Sequence, residues 1–191
     1  MQTHGRKERE RAQRHQLIVS AARELAETEG WDAVTTRRLA DRIEYSQPVL
    51  YSHFRGKNEI VGAVALDGFT ELTTAVRSVV PAGAEPRAAV AALAHTYLDF
   101  AEQHPAVYDA MFSLSNGLPF ADAATPPQLQ EAFAVLRDTL SRVAGSVEPD
   151  LFTEVSWAAL HGLATLTRAG RLPAEDSASR LEVLVDRLVA G

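Results

Sequence analysis

Apolar residues in this chain recur at helical spacing almost from end to end, and that regularity decides its fold class. Leu17, Ile18, Ala21, Ala22, Leu25 and Ala26 form one stripe along a helix predicted over 12–29. No convincing run alternates apolar and polar β-branched positions, so nothing predicts strands or a hairpin between them. The expectation is an all-α fold of about nine helices.

Breakers place the other boundaries. Gly30 suits the position after a helix, where φ turns positive. Thr35 is a good N-cap for a short helix over 36–43, and Ser46 for another over 47–53, with Pro48 in its first turn. Trp31 to Val34 is a short connector, and Glu44-Tyr45 a turn. Further helices are expected over 57–79, 87–103, 105–114, 128–146, 149–169 and 176–189. Between them lie the Pro81–Pro86 break, Gln103-His104-Pro105, a loop from Ser115 to Pro127, and Gly170–Pro173. The charged residues 1–11 are expected to be mobile.

Charge then limits the partners. The net charge of −6 argues against nucleic acid, but its distribution does not. Residues 1–59 hold 11 Lys/Arg against 9 Asp/Glu, while residues 60–191 hold 8 against 16. Phosphate binding depends on the local face that meets the duplex, so the first part is the candidate. There is no cysteine, which removes disulfides, thiolate metal sites and cysteine nucleophiles. The first residues lack the apolar stretch of a signal peptide, and no run suits a membrane span. A cytoplasmic protein without membrane association is expected.

Three short helices in the first 56 residues, the last two joined by a tight turn, describe a helix-turn-helix. Leu39, Ile43, Val49 and Leu50 are expected to fix the angle of its two arms. The segments Thr35-Thr36-Arg37-Arg38-Leu39-Ala40 and Ser46 through Ile60 resemble the DNA-binding signature of the TetR family. Its core stands here as Leu50, Tyr51, His53, Phe54 and Lys57. Glu44 and Tyr45 depart from it, because the family usually has Gly and a small apolar residue there. Glu44 is expected to adopt a left-handed conformation at a cost of about 1 kcal/mol.

The resemblance implies a homodimeric transcription regulator, with a DNA-binding domain over 1–56 and an effector-binding and dimerisation domain over 57–191. Thr35, with Arg37 or Arg38, would contact phosphates. Ser46, Gln47 and Pro48 would reach base edges, where Gln pairs with adenine and Pro48 offers apolar surface to a thymine methyl. Tyr51 and His53 resemble the family's phosphate-contacting pair. Lys57 would meet a phosphate at a helix N-terminus. Arg6, Lys7, Arg9, Arg11 and Arg14 either reach a neighbouring minor groove or remain a solvated tail.

The remainder carries a looser resemblance. Trp157 and His161-Gly162, with the segment from His104-Pro105 to Met111-Phe112, resemble a Trp…His-Gly subfamily of TetR C-terminal domains. Trp157 and His161 share a helix face, and either serve the core or line a ligand cavity. Gly162 would permit the close approach of another helix. Phe69, Tyr97, Phe100, Tyr108, Met111 and Phe112 are further wall candidates. They imply a largely apolar effector.

The last two helices carry more apolar residues than one inward face needs, so a second buried surface is expected. Phe152, Val155, Leu163, Leu184 and Leu188 are its candidates. The operator of such a dimer would be pseudo-palindromic, with half-sites about 35 Å apart.

Two other readings stand at this point. One is an enzyme, but no phosphate loop, nucleophile elbow, metal-ligand pattern or cofactor motif is present. The other is a helical dimer that keeps the head only as scaffold, favoured by Glu44 and the acidic balance.

Overall fold

The computed structural model describes residues 2–80 and 83–190. Pro81 and Ala82 of the expected break lie outside the described residues. Among the described residues there are nine α-helices and no strand: α1 (Gln2–Glu29), α2 (Thr36–Arg42), α3 (Gln47–Tyr51), α4 (Lys57–Val79), α5 (Pro86–Gln103), α6 (Pro105–Phe112), α7 (Pro127–Leu140), α8 (Pro149–Arg168) and α9 (Ser177–Ala190). The connectors Trp31–Ala33, Ser141–Val143 and Ala174–Asp176 each form a 3-10 turn.

The all-α expectation holds, and two boundaries differ. Residues 2–11 are helical and belong to α1 rather than to a mobile arm. The helix expected to reach 146 gives way to the 3-10 turn after Leu140, which is wholly buried.

The chain forms two compact units. One joins residues up to Gly68 with His104–Pro119; the other joins Phe69–Gln103 with residues from Phe120 onward.

In the first unit, Ile18, Ala22 and Leu25 of α1 are buried with Val34, Leu39, Leu50, Phe54 and Ile60. Helix α6 is bound into this unit by polar contacts from α1 and the turn after it. The first amides of a helix have no partner within it, and Glu27 supplies one. Its carboxylate accepts from the backbone N–H of Ala106 and of Val107, each at 3.1 Å. A negative charge there also suits the helix dipole. Trp31 Nε1 donates to the Ala106 carbonyl at 2.8 Å. Gly68 permits α4 and α6 to close: a Cβ there would lie 2.5 Å from Val107 Cγ1 and 2.8 Å from Met111 Sδ.

In the second unit, α5 packs against α7, α8 and α9. Val90, Leu93, Tyr97, Leu140, Leu160, Leu181 and Val185 are its buried centre. Arg87 at the start of α5 pairs with Glu182 at 2.9 Å and Asp186 at 2.7 Å, which ties α5 to α9 at the surface. Arg137 of α7 pairs likewise with Asp150 of α8.

Candidate nucleic-acid interface

Thr35 starts the helix-turn-helix. Its hydroxyl accepts from the Arg38 amide at 3.2 Å and caps α2. The turn to α3 passes through Glu44 at φ 57°, the left-handed conformation expected of it. The Tyr45 amide then bonds back to the Ala40 carbonyl at 3.0 Å, closing α2. Ser46 stands at the N-cap position of α3, with Pro48 in the first turn, but unlike Thr35 its side chain makes no capping hydrogen bond. Leu39 and Leu50 are fully buried, whereas Ile43 and Val49 are half-buried. This wedge presents Ser46, Gln47, Pro48 and Tyr51 outward. Tyr51 is 53% exposed, far more than a core tyrosine, and its hydroxyl lies 3.4 Å from that of Thr36. Phe54 is core, at 4% exposure.

The two arginines of α2 differ. Arg37 is exposed. Arg38 forms a two-pronged pair with Glu29 at the end of α1, at 2.7 and 2.9 Å. That pairing holds the Glu29 carboxyl below the usual carboxylate range. Arg42 adds a second strap to Glu24 at 2.9 Å. Helix α2 is thus braced on α1 by charge as well as by its apolar side.

His53 follows α3 and is half-buried. Burial, and then the charges of Arg11, His15 and Arg14 on α1, push its imidazole below the ordinary range. His15 stacks on Phe54, with centroids 4.6 Å apart, and lies 6.2 Å from His53. Lys57 heads α4, and its ammonium donates to the Trp31 carbonyl. The Glu59 carboxylate accepts from the Arg55 amide at 2.7 Å just before that helix. Sequence reasoning singled out neither the Glu29 and Glu24 partners nor His15.

The effector candidates divide between the units. Tyr108, Met111 and Phe112 belong to the first, where the rings of Tyr108 and Phe112 are 4.8 Å apart. Phe69, Tyr97, Phe100, Trp157 and His161 belong to the second. There Trp157 Nε1 donates to the Tyr97 hydroxyl at 3.0 Å, and the rings of Trp157 and His161 are 6.4 Å apart. Burial, with Arg168 nearby, lowers the His161 imidazole. One hydroxyl in this unit stands out. Thr139, Thr153 and Ser156 are buried and donate to the carbonyl four residues back. Thr73 is equally buried, and its hydroxyl has no hydrogen-bond partner among the described residues.

Of the dimer candidates, Val155 is 62% exposed, while Phe152, Leu163, Leu184 and Leu188 are half-buried. Leu151, Leu166 and Val183 are also exposed. No helix of the described chain approaches Gly162: a Cβ there would meet nothing within 4 Å. The close helix contact expected at Gly162 is therefore not made within the described chain, although the glycine is half-buried.

Residues 18–64 match the family described as bacterial regulatory proteins, tetR family. Residues 90–190 match the tetracycline repressor-like C-terminal domain. The chain is 29% identical over 177 residues to an uncharacterized HTH-type transcriptional regulator of Mycobacterium tuberculosis, Rv0681, covering 91% of this chain and 79% of that protein. Over 48 residues it is 44% identical to the class A tetracycline repressor from transposon 1721 of Escherichia coli, covering 25% of this chain and 22% of the repressor. A structure of a protein with unknown function from Rhodococcus sp. RHA1 superposes with a TM-score of 0.73 at 26% identity, covering 93% of each chain.

Proposed function

The chain belongs to the TetR family of DNA-binding transcription regulators, and from that premise we propose that it is a homodimeric repressor released from a pseudo-palindromic operator by a small, largely apolar effector. The observation that carries the DNA-reading part is the outward face of α3. Ser46 just before α3, and Gln47, Pro48 and Tyr51 on it, are all exposed, while Leu50 of the same helix is buried in the head. Gln47 suits adenine, Pro48 a thymine methyl, and Ser46 either base type. Tyr51, Arg37 and Thr35 surround them with phosphate-binding groups. Lys57 is the less available cation, since leaving Trp31 for a phosphate would cost it a hydrogen bond.

Effector binding is assigned to aromatic residues of the second unit, with Trp157, Tyr97 and His161 as its polar-edged wall. The hydroxyl of Thr73 is a handle for a hydrogen-bonding atom of the ligand, because a buried polar group without a partner costs roughly 1–3 kcal/mol until one is supplied. Helix α4 runs through both units, so a ligand that shifts its second half moves the helix that begins at Lys57. Release requires that the ligand bind the two conformations unequally. Its action is equilibrium binding without turnover.

The dimer is assigned to α8 and α9. Leu151, Val155, Ala158, Gly162 and Leu166 lie three or four residues apart, so they form one stripe along α8. Leu151, Val155 and Leu166 are each about half-exposed or more, an uneconomical arrangement unless a second copy covers them. Gly162 leaves room in that stripe for a partner helix.

Selection of duplexes from a random pool by the purified protein, followed by binding of the winner at two salt concentrations, tests this reading. A palindromic winner bound far above random DNA is expected, weakening steeply with salt. Absence of any enrichment at low salt would overturn it.

A further inference from the structure

We infer that one face of α1, carrying Lys7, Arg11, Arg14 and His15, joins His53 in a second phosphate-binding surface that grips the DNA backbone flanking the base pairs read by α3. This deepens the DNA-binding reading above and rests on it.

Helix α1 is continuous from Gln2, yet from residue 5 onward the first side chain it buries is Ile18. Its N-terminal half therefore extends past the core. Lys7, Arg11 and Arg14 follow one another at helical spacing and His15 lies four residues after Arg11, on the same side as Ile18, Ala22 and Leu25. The stripe that is apolar where it packs on the head turns basic where it leaves it. Among the described residues none of those basic side chains is ion-paired, and Arg14 donates only to the Glu10 backbone carbonyl, at 3.1 Å. The Glu10 carboxylate on the adjoining side is occupied by Arg6 at 2.8 Å.

This stripe borders the recognition helix. Arg11, Arg14 and His15 all act on His53, just beyond the C-terminal end of α3, and His15 stacks on Phe54. On the neighbouring side, Glu10, Gln13, Arg14 and Leu17 line a groove of about 310 Å³ with Tyr45, just before the N-terminal end of α3. The middle of α1 thus runs past both ends of α3, and its cations stand beside the residues that face DNA.

Arg11, Arg14, His15 and His53 gather with no ion pair among them, and cationic groups held so repel one another. An anion relieves that repulsion, and a duplex offers one charge per roughly 1.7 Å of its axis. From Lys7 to His15 the helix rises about 12 Å, the height of three to four base pairs. The element's shape selects the backbone over the groove. An α-helix with side chains is about 10–12 Å wide and the minor groove about 6 Å, so a helical segment lies against the phosphates. Such contacts add affinity without sequence preference.

The test compares wild type, R11Q/R14Q and Gln47→Ala on the selected duplex, both with long flanks and trimmed to the half-sites. Each lost phosphate contact flattens the dependence of log K on log salt by about 0.9, so the double variant is expected to lose a slope of three to four per dimer. Trimming the flanks should cost wild type more than it costs R11Q/R14Q, which keeps only Lys7, His15 and His53 of that surface. The ratio of specific to random-DNA affinity should stay unchanged in R11Q/R14Q and fall in Gln47→Ala. An unchanged thermal midpoint certifies the variant's fold, and a K7Q/R11Q variant, exposed at both positions, repeats the measurement. A slope equal to wild type, or equal sensitivity to trimming in both proteins, overturns the inference and leaves the regulator reading standing. If wild type enriches no duplex at all, that reading fails and the inference with it.

Discussion

His53 stands where α1 points Arg11, Arg14 and His15 at it, and the consequence for pH has two opposite signs. Its folded value is depressed, so the neutral ring contributes stability above the unfolded value of about 6.5, and that contribution is lost as pH falls through the folded value. A DNA phosphate reverses the balance by favouring the imidazolium, so binding takes up a proton. Operator affinity is expected to rise as pH falls from about 8 to about 6, while the free protein becomes less stable. His53→Gln should flatten the affinity profile; a variant with the wild-type profile would locate the proton elsewhere. Arg38 poses a different question at the same scale. Its pairing with Glu29 makes it a strap from α2 to α1. R38Q and E29Q should lower the thermal midpoint alike, and the double variant should lower it no further than either. R37Q should leave the midpoint alone and weaken operator binding. The sequence set these two arginines side by side without a means to choose, because the deciding carboxylate sits on another helix. Ser46, Gln47, Pro48 and Tyr51 were legible because a local pattern, a serine before the helix, then proline, then the family's aromatic, fixes their exposure.

At the level of elements, what was legible depended on whether burial or charge specifies the helix. Helices α2 to α6 and α8 to α9 begin and end within about two residues of their expected positions, since caps, prolines and apolar period agree there. The beginning of α1 was not legible. Residues 5–14 bury nothing, so the apolar period falls silent, and support comes from pairs such as Arg6 with Glu10. Helix α6 is likewise held by Glu27, Trp31 and Gly68, contacts between distant residues that no window of sequence displays. Gly68→Ala gains about 1 kcal/mol of helix propensity but drives a methyl into Val107 and Met111. Overpacking costs about 1–3 kcal/mol, so a net loss is expected in chemical denaturation. A stabilised variant would show that α6 yields. The turn makes the converse case. Glu44 holds φ 57°, which glycine adopts without penalty. Glu44→Gly should therefore raise stability by about 1 kcal/mol, and by removing a negative charge beside α3 it should tighten DNA binding as well. Unchanged stability would mean that the turn carries no strain.

For the whole molecule, the decisive quantity is the spacing of two recognition helices, and the proposed dimer face on α8 is what would set it. The dimer candidates Phe152, Leu163, Leu184 and Leu188 are half-buried within their own chain, while Leu151, Val155, Leu166 and Val183 stand out. Sequence period could not separate the two sets, because a helix apolar on two sides gives the same signal from either. Val155 is the sharpest probe: among the described residues it is the most exposed of the large apolar side chains, at 62%, and it stands in the stripe that passes Gly162. In an isologous interface each residue near the axis meets the partner's copy, so Val155→Glu brings two like charges together in an apolar setting. The variant should sediment as a monomer. Its thermal midpoint should no longer rise with protein concentration, as an associating protein's does. One head alone then pays the full entropic cost of docking on each half-site, and operator affinity should fall at least a hundredfold, the gain that linking two weak sites provides. A single half-site should be bound by variant and wild type equally, since α3 is untouched. Were Val155→Glu to remain a dimer with full operator affinity, the two heads would have to be joined through some surface other than α8, and the spacing of half-sites would have to be derived from it.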